Sequence, residues 1–181
     1  MDQTTHALTA SCRPIRIRAA RLVELDRLAA IGLSAWERGI APLVPAGVAA
    51  RVRRINPFRA FLRDLGPAVV VADLDGEPAG IAARDHATNY ISDLWVAPGQ
   101  EGRGVGSALL ASLEEAIRQA GYGTARLEVL TANVRALALY RRRGYRPVWE
   151  AFKRDLSVGI ELHKTGMAKS LQPLRPGSAL S

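Results

Sequence analysis

Cysteine occurs once in the 181 residues, at Cys12. A single thiol excludes an intrachain disulfide, and in its polar surroundings it has no metal or nucleophile partner. The three histidines, His6, His86 and His163, show no ligand spacing among themselves or with that cysteine, so no metal is expected. No stretch approaches the ~18 consecutive apolar residues of a membrane span, and positions 1 to 13 hold no apolar core of signal-peptide length. A cytoplasmic protein with no membrane association is the expectation. Internal repeats and low-complexity segments are missing as well. Acidic residues are in deficit, 17 against 25 Lys and Arg, for a formal net charge of +8 and a pI near 10.5. That imbalance points to anionic ligands. The arginines are dispersed in short clusters, Arg13 to Arg21, Arg51 to Arg54 and Arg141 to Arg143, which disfavours a nucleic-acid stripe.

What is present is the length and the 48% hydrophobic composition of one globular domain. Pro/Gly/Ser-rich and polar ends mark residues 1–13 and 172–181 as flexible tails around a single domain at 14–171. Within that domain one stretch stands out. Ile91 to Val96 is a β-branched and aromatic strand stopped by Pro98; Gly102, Gly104 and Gly106 then lead into a helix with Leu109, Leu113 and Ile117 at helical spacing. Glycines at a helix N-terminus strip side chains from the place where N–H groups lack carbonyl partners, which makes an anion site. The P-loop and the dinucleotide fingerprint both fail here, because Ser107-Ala108 follows Gly106 and no third fingerprint glycine exists.

The rest of the chain frames that turn. Ile15 to Arg18 predicts a strand and Ala19 to Ile31 a helix. Gly39, Pro42 and Pro45 interrupt the next segment, which puts Trp36 and Arg38 near a helix end or in a loop, with Trp36 read as a packing residue. A second helical stretch, Val48 to Leu65, is broken by Pro57. Ala68 to Ala72 and Ala79 to Arg84 are strands joined at Asp75-Gly76, a hairpin turn signal. Asn89 to Val96 makes a third, so antiparallel strands lead up to the glycine turn. The helix Val105 to Ala120, with Glu114 and Arg118 paired at i, i+4 on its solvent side, leads to a strand at Ala125 to Leu130. That connection is long enough for a parallel crossover. Asn133 can cap a helix through Tyr140 to Arg143 that ends at Gly144, and Tyr145 to Lys153 with Val158 to Met167 predict a terminal strand pair.

Leu94-Trp95-Val96-Ala97-Pro98 before Gly102-Arg103-Gly104-Val105-Gly106 resembles the acetyl-coenzyme A signature of the GNAT N-acetyltransferase superfamily. Asn133-Val134-Arg135-Ala136-Leu137-Ala138-Leu139-Tyr140-Arg141-Arg142-Arg143-Gly144-Tyr145 is similar to that superfamily's second hallmark. The resemblance covers roughly residues 68 to 146. It implies an α/β (α+β) GNAT fold: a mixed, mostly antiparallel central sheet, helices on both faces, and a parallel strand pair splayed at the acetyl-CoA site. It also implies acetyl-CoA as cosubstrate and an amine acceptor, on a peptide or protein N-terminus, a lysine or a small molecule. A homodimer is compatible with it. A non-catalytic acyl-CoA-binding or nucleic-acid-binding regulator of the same fold is the alternative.

On this resemblance the coenzyme would be held by Leu94, Trp95, Val96, Glu101, Gly102, Arg103, Gly104, Val105, Gly106, Ser107, Asn133, Ala136 and Tyr140. Leu94 and Val96 would act through their backbones, as an added strand does. Glu101 departs from the pattern, since it stands where the family carries Arg or Gln. The chemistry asks for a base, because a lysine-like amine is only about 1 in 2,500 neutral at pH 7. Glu128, a carboxylate within an otherwise apolar strand, is the first candidate; Asp93 is the second, with Ser92 holding a water. Alternation puts Ser92 and Asp93 on opposite faces unless a bulge intervenes. Tyr140 is the candidate acid for the departing thiolate.

Overall fold

The computed structural model describes residues 14–84, 88–155 and 158–171. Both expected tails, with Cys12, His6 and His86, lie outside the described residues. Alternating apolar runs separated by turn residues form seven strands: β1 Arg16–Ala19, β2 Val70–Leu74, β3 Glu77–Arg84, β4 Tyr90–Val96, β5 Thr124–Leu130, β6 Arg146–Asp155 and β7 Ile160–Ser170. They make one sheet in the order β1-β2-β3-β4-β5-β7-β6. Only β4 and β5 run parallel; the other neighbours are antiparallel. At the β2–β3 hairpin Asp75 and Gly76 both have positive φ, 58° and 84°, as the tight turn requires.

Helices cover both faces. α1 Leu25–Gly39, α2 Ala46–Ile55 and α3 Phe58–Leu65 bury Leu28, Trp36, Val52, Phe58 and Leu62 against Val71, Ile81 and Ala83. On the other face α4 Val105–Gln119 and α5 Val134–Arg142 bury Leu109, Leu113, Ile117 and Leu137 against Ala72, Ala82, Ile91 and Leu127. The architecture is the mixed α/β layering that the resemblance implies. Among the described residues no helix is long and apolar enough to cross a membrane.

Two expectations need correction. The first helix starts at Leu25 and runs to Gly39, later than predicted, with a single 3-10 turn at Leu22–Glu24 before it. Leu22, the first apolar residue of the expected helical spacing, is 69% exposed, while the buried stripe is Leu28, Ala29, Gly32 and Trp36. Trp36 lies in the last turn of that helix, near its end as expected. The Val48 to Leu65 stretch is broken at Pro57, as expected: Asn56, with a left-handed φ of 39°, ends α2, and Pro57 opens α3.

The second correction concerns Glu114. It is buried, and its Oε2 accepts from Lys169 Nζ at 2.7 Å, across from α4 to β7; Arg118 pairs instead with Glu115. Position 114 belongs to the core-facing stripe with Leu110, Leu113 and Ile117, so the carboxylate needs an internal partner. Lys169→Met is expected to destabilise by about 3 kcal/mol in urea unfolding, because it leaves a buried charge alone. Adding Glu114→Leu should recover most of that loss. A double variant as unstable as the single one would show that the lysine acts through packing rather than charge.

Candidate active site

The parallel ladder between β4 and β5 holds only at Tyr90↔Arg126 and Ile91↔Leu127. Beyond it the strands part. β4 continues to pair with β3 through Gly80↔Val96, and β5 with β7 through Leu130↔Lys164. The parting opens two cavities, one on each side of the gap. Leu94, Trp95, Asn133 and Ala136 line both.

The first cavity, about 650 Å³, lies between the 102–107 turn, α5 and the end of α1. Gly104 is the N-cap of α4 with φ 89°, following Gly102 at 75°. Both are conformations a side chain would strain. The first intrahelical bond of α4 is Ala108 N to Gly104 O, 2.9 Å. The N–H groups of Val105, Gly106 and Ser107 therefore have no helical acceptor and stand at the positive end of the helix dipole. Val105 contributes only its backbone, since its side chain is buried against the sheet. Arg103 turns away, with Nη1 to Gln100 at 2.6 Å and Nη2 to Asp75 at 3.2 Å, and is not among the cavity's lining residues.

Glu101 sits in the cavity wall and is held by Arg38 at 3.1 Å and Arg135 at 3.4 Å. With Arg142, these arginines line the same cleft. The sequence did not mark Arg38 and Arg135 as cleft residues, because Arg38 comes from α1 and no local pattern ties it to a turn more than sixty residues on. Asn133 caps α5, its Oδ1 accepting from Ala136 N at 3.1 Å, which puts its amide at the junction of the cavities.

The second cavity, about 520 Å³, is walled by α1, α2, α3, β4, β5 and the β6–β7 end of the sheet. Ser92 and Asp93 both line it, and the reason is a bulge: Ala83 pairs with Asp93 while Arg84 pairs with Ile91, so Ser92 is the extra residue. Asp93 accepts from the Trp95 indole Nε1 at 3.0 Å. Glu128 also lines the cavity, but Lys153 Nζ stands 2.5 Å from one oxygen and Lys164 Nζ 3.6 Å from the other, with Asp155 2.9 Å from Lys164. The carboxylate is thus engaged by two cations that the strand pattern could not reveal. Among the described residues no group of three or more acidic, His or Cys side chains could hold a metal ion.

Tyr140 reaches the second cavity from α5 and is 8% exposed, its ring edge-on to Tyr145 at 5.9 Å. Burial, and then the charge of Asp93, push its phenol from 10 up to about 12.

The sequence model of the Acetyltransferase (GNAT) family matches residues 35–145, more than half of the chain and both walls of the cleft. The protein belongs to that family. It is 39% identical over 80 residues to the streptothricin acetyltransferase of Streptomyces lavendulae, a match that spans 42% of each chain. It thus covers well under half of that relative's length. Its fold superposes with a TM-score of 0.71 on the GCN5-related N-acetyltransferase of Rhodopseudomonas palustris, 25% identical, over 86% of this chain and 95% of that one. The PaiA N-acetyltransferase of Thermoplasma acidophilum, solved in complex with coenzyme A, gives 0.67 at 17% identity over 87% of this chain and 99% of that one.

Because the Tyr140 phenol is raised, its contribution to stability is present below pH 10 and lost as pH rises to about 12. Tyr140→Phe should therefore flatten the fall of unfolding free energy over that window, while leaving tyrosinate absorbance of the folded protein at about pH 11 close to that of the parent. A clear drop in that absorbance would show that Tyr140 ionises as an exposed phenol does.

Proposed function

We propose that the protein transfers an acetyl group from acetyl-CoA to a primary amine by direct attack in a ternary complex. The observation that carries this reading is the pair of cavities sharing Leu94, Trp95, Asn133 and Ala136: an anion-binding cleft on one side meets a carboxylate- and phenol-bearing pocket on the other. Acetyl-CoA supplies the activated thioester. The coenzyme complex of PaiA, a protein of the same fold, supports assigning the first cavity to it.

In this assignment the N–H groups of Val105, Gly106 and Ser107 take the pyrophosphate. Arg38, Arg135 and Arg142 supply the positive side chains that Glu101 does not, and Glu101 holds two of them in position. The β4 edge left without a partner beyond Ile91 offers backbone groups to an extended amide-bearing arm. The amine enters from the second cavity, and its nitrogen forms the new C–N bond as the C–S bond breaks. Tyr140, kept protonated by burial, gives its proton to the departing sulfur. Asp93 receives the proton of the amine, directly or through a water on Ser92. It is preferred over Glu128, whose charge two lysines already compensate.

Two outcomes are expected. Acetyl-CoA at a hundred times Kd should stabilise the folded chain by about 2.7 kcal/mol, and Gly104→Asp, which sets a negative side chain against the pyrophosphate, should weaken coenzyme binding at least about tenfold. Unchanged affinity in a folded Gly104→Asp protein would move the phosphates elsewhere. In pH–rate profiles Asp93→Asn should lower kcat/KM by about 10²-fold or more near neutrality and less at alkaline pH, where free amine needs no base. Glu128→Gln should run parallel to the parent. The reverse pattern would make Glu128 the base.

A further inference from the structure

The sheet ends in two unlike edges. β1 is four residues long, and shortness is one of the ways an edge strand is kept from pairing. β6 closes the other side with ten residues, eight of them exposed, and β7 is its one neighbour among the described strands. The start of β6 is unsuited to further pairing. Pro147 has no N–H, and the register shift between Pro147 and Trp149 leaves Val148 as an extra residue. From Trp149 to Asp155 the ladder with β7 is regular. The midpoint of that straight run is Phe152.

Alternation sets Trp149, Ala151, Lys153 and Asp155 on one face of the run and Glu150, Phe152 and Arg154 on the other. The first set is turned back onto its own sheet. Trp149 lies so close over Gly166 that a Cβ there would come within 2.1 Å of the indole, and Lys153 covers that ring at 4.7 Å while reaching Glu128. The second set stands out to solvent. Phe152 leans on His163 at 4.9 Å yet stays 72% exposed, and Glu150 is met by the Thr165 hydroxyl at 3.4 Å, the long limit of a hydrogen bond.

This edge is complementary to itself. A two-fold axis normal to a sheet pairs two identical strands antiparallel with one residue on the axis, so each residue before the centre faces one after it. With Phe152 at the centre the whole straight run is paired, Phe152 faces Phe152, and Glu150 faces Arg154 of the second copy at two symmetric places. Other registers lose these matches. A centre at Ala151 sets Glu150 against Phe152 and leaves Arg154 facing the bulged Val148; a centre at Lys153 opposes two lysines and leaves Glu150 beyond the run.

We propose that the protein forms a homodimer by antiparallel pairing of β6 with β6 of a second copy, centred on Phe152, which joins two seven-stranded sheets into one. The two Phe152 rings cover each other, flanked by the two Glu150–Arg154 pairs. The joint braces the β6–β7 end of the sheet, whose Asp155, Leu162 and Lys164 line the second cavity.

Sedimentation equilibrium of the full chain tests this against the monomer mass of 19.5 kDa. The parent should show twice that mass at micromolar concentrations. Phe152→Asp should raise the dimer Kd by at least about 30-fold, as loss of a central anchor does. Glu150→Arg and Arg154→Glu should each raise it by about tenfold or more, because each opposes like charges twice, and the double variant Glu150→Arg/Arg154→Glu should return it close to the parent value. All three positions are exposed in the single chain, so the substitutions spare the fold, and an unchanged far-UV circular dichroism spectrum checks that. A parent that stays monomeric through the micromolar range would overturn the proposal, as would a dimer indifferent to Phe152→Asp. A double variant no tighter than the single ones would overturn the pairing centred on Phe152.

Discussion

Everything chemical in this molecule depends on two neighbouring parallel strands ceasing to be neighbours. β4 and β5 share a ladder for two residue pairs and then diverge, each keeping a partner on its outer side. Buried backbone groups without partners are costly, so a sheet does not open in its middle unless something else fills the gap. Here α5 fills part of it, bringing Asn133, Ala136 and Tyr140 to the opening, and the bulge at Ser92 re-aims the β4 side chains toward it. The remaining unpaired edge suits an extended amide-bearing chain better than it suits water.

The excess positive charge of the chain resolves into distinct uses once the fold is known. Exposed pairs such as Arg27 with Glu77 or Arg53 with Glu37 are worth little to stability. Arg38 and Arg135 converge from different helices on one carboxylate at the cleft wall, so the local positive potential survives an acidic residue in the loop. Arg18 serves the fold instead, joining β1 to Asp73 of β2 and to Glu24. Burial alone would raise the Glu24 carboxyl, but the Arg18 and Arg21 guanidiniums outweigh it and bring the group from 4.5 down to about 2.

The parts that were legible in the sequence are those whose cause is local. The glycine turn, the α4 stripe, the Asn133 cap and the Asp75-Gly76 hairpin each follow from residues within a few positions of one another, and each stands where the pattern puts it. The partners of Glu114 and Glu128 were not legible, since Lys169 lies 55 positions from one and Lys153 25 from the other. Leu22 misled in the opposite way, being apolar in rhythm and exposed in fact.

The strand order also bears on how the chain is made. β7 lies between β5 and β6, so β6 has no place in the sheet until β7 has emerged from the ribosome. Until then the outer edge of β5 is bare, and β6 carries Val148 and Phe152, which stay 60% and 72% exposed even in the finished fold. An unpaired edge beside apolar side chains is where nascent chains adhere to one another. Synthesis thus holds the sheet in a sticky, unfinished form until β7 is made, and that strand delivers both Lys164 to the second cavity and Lys169 to the buried carboxylate of α4.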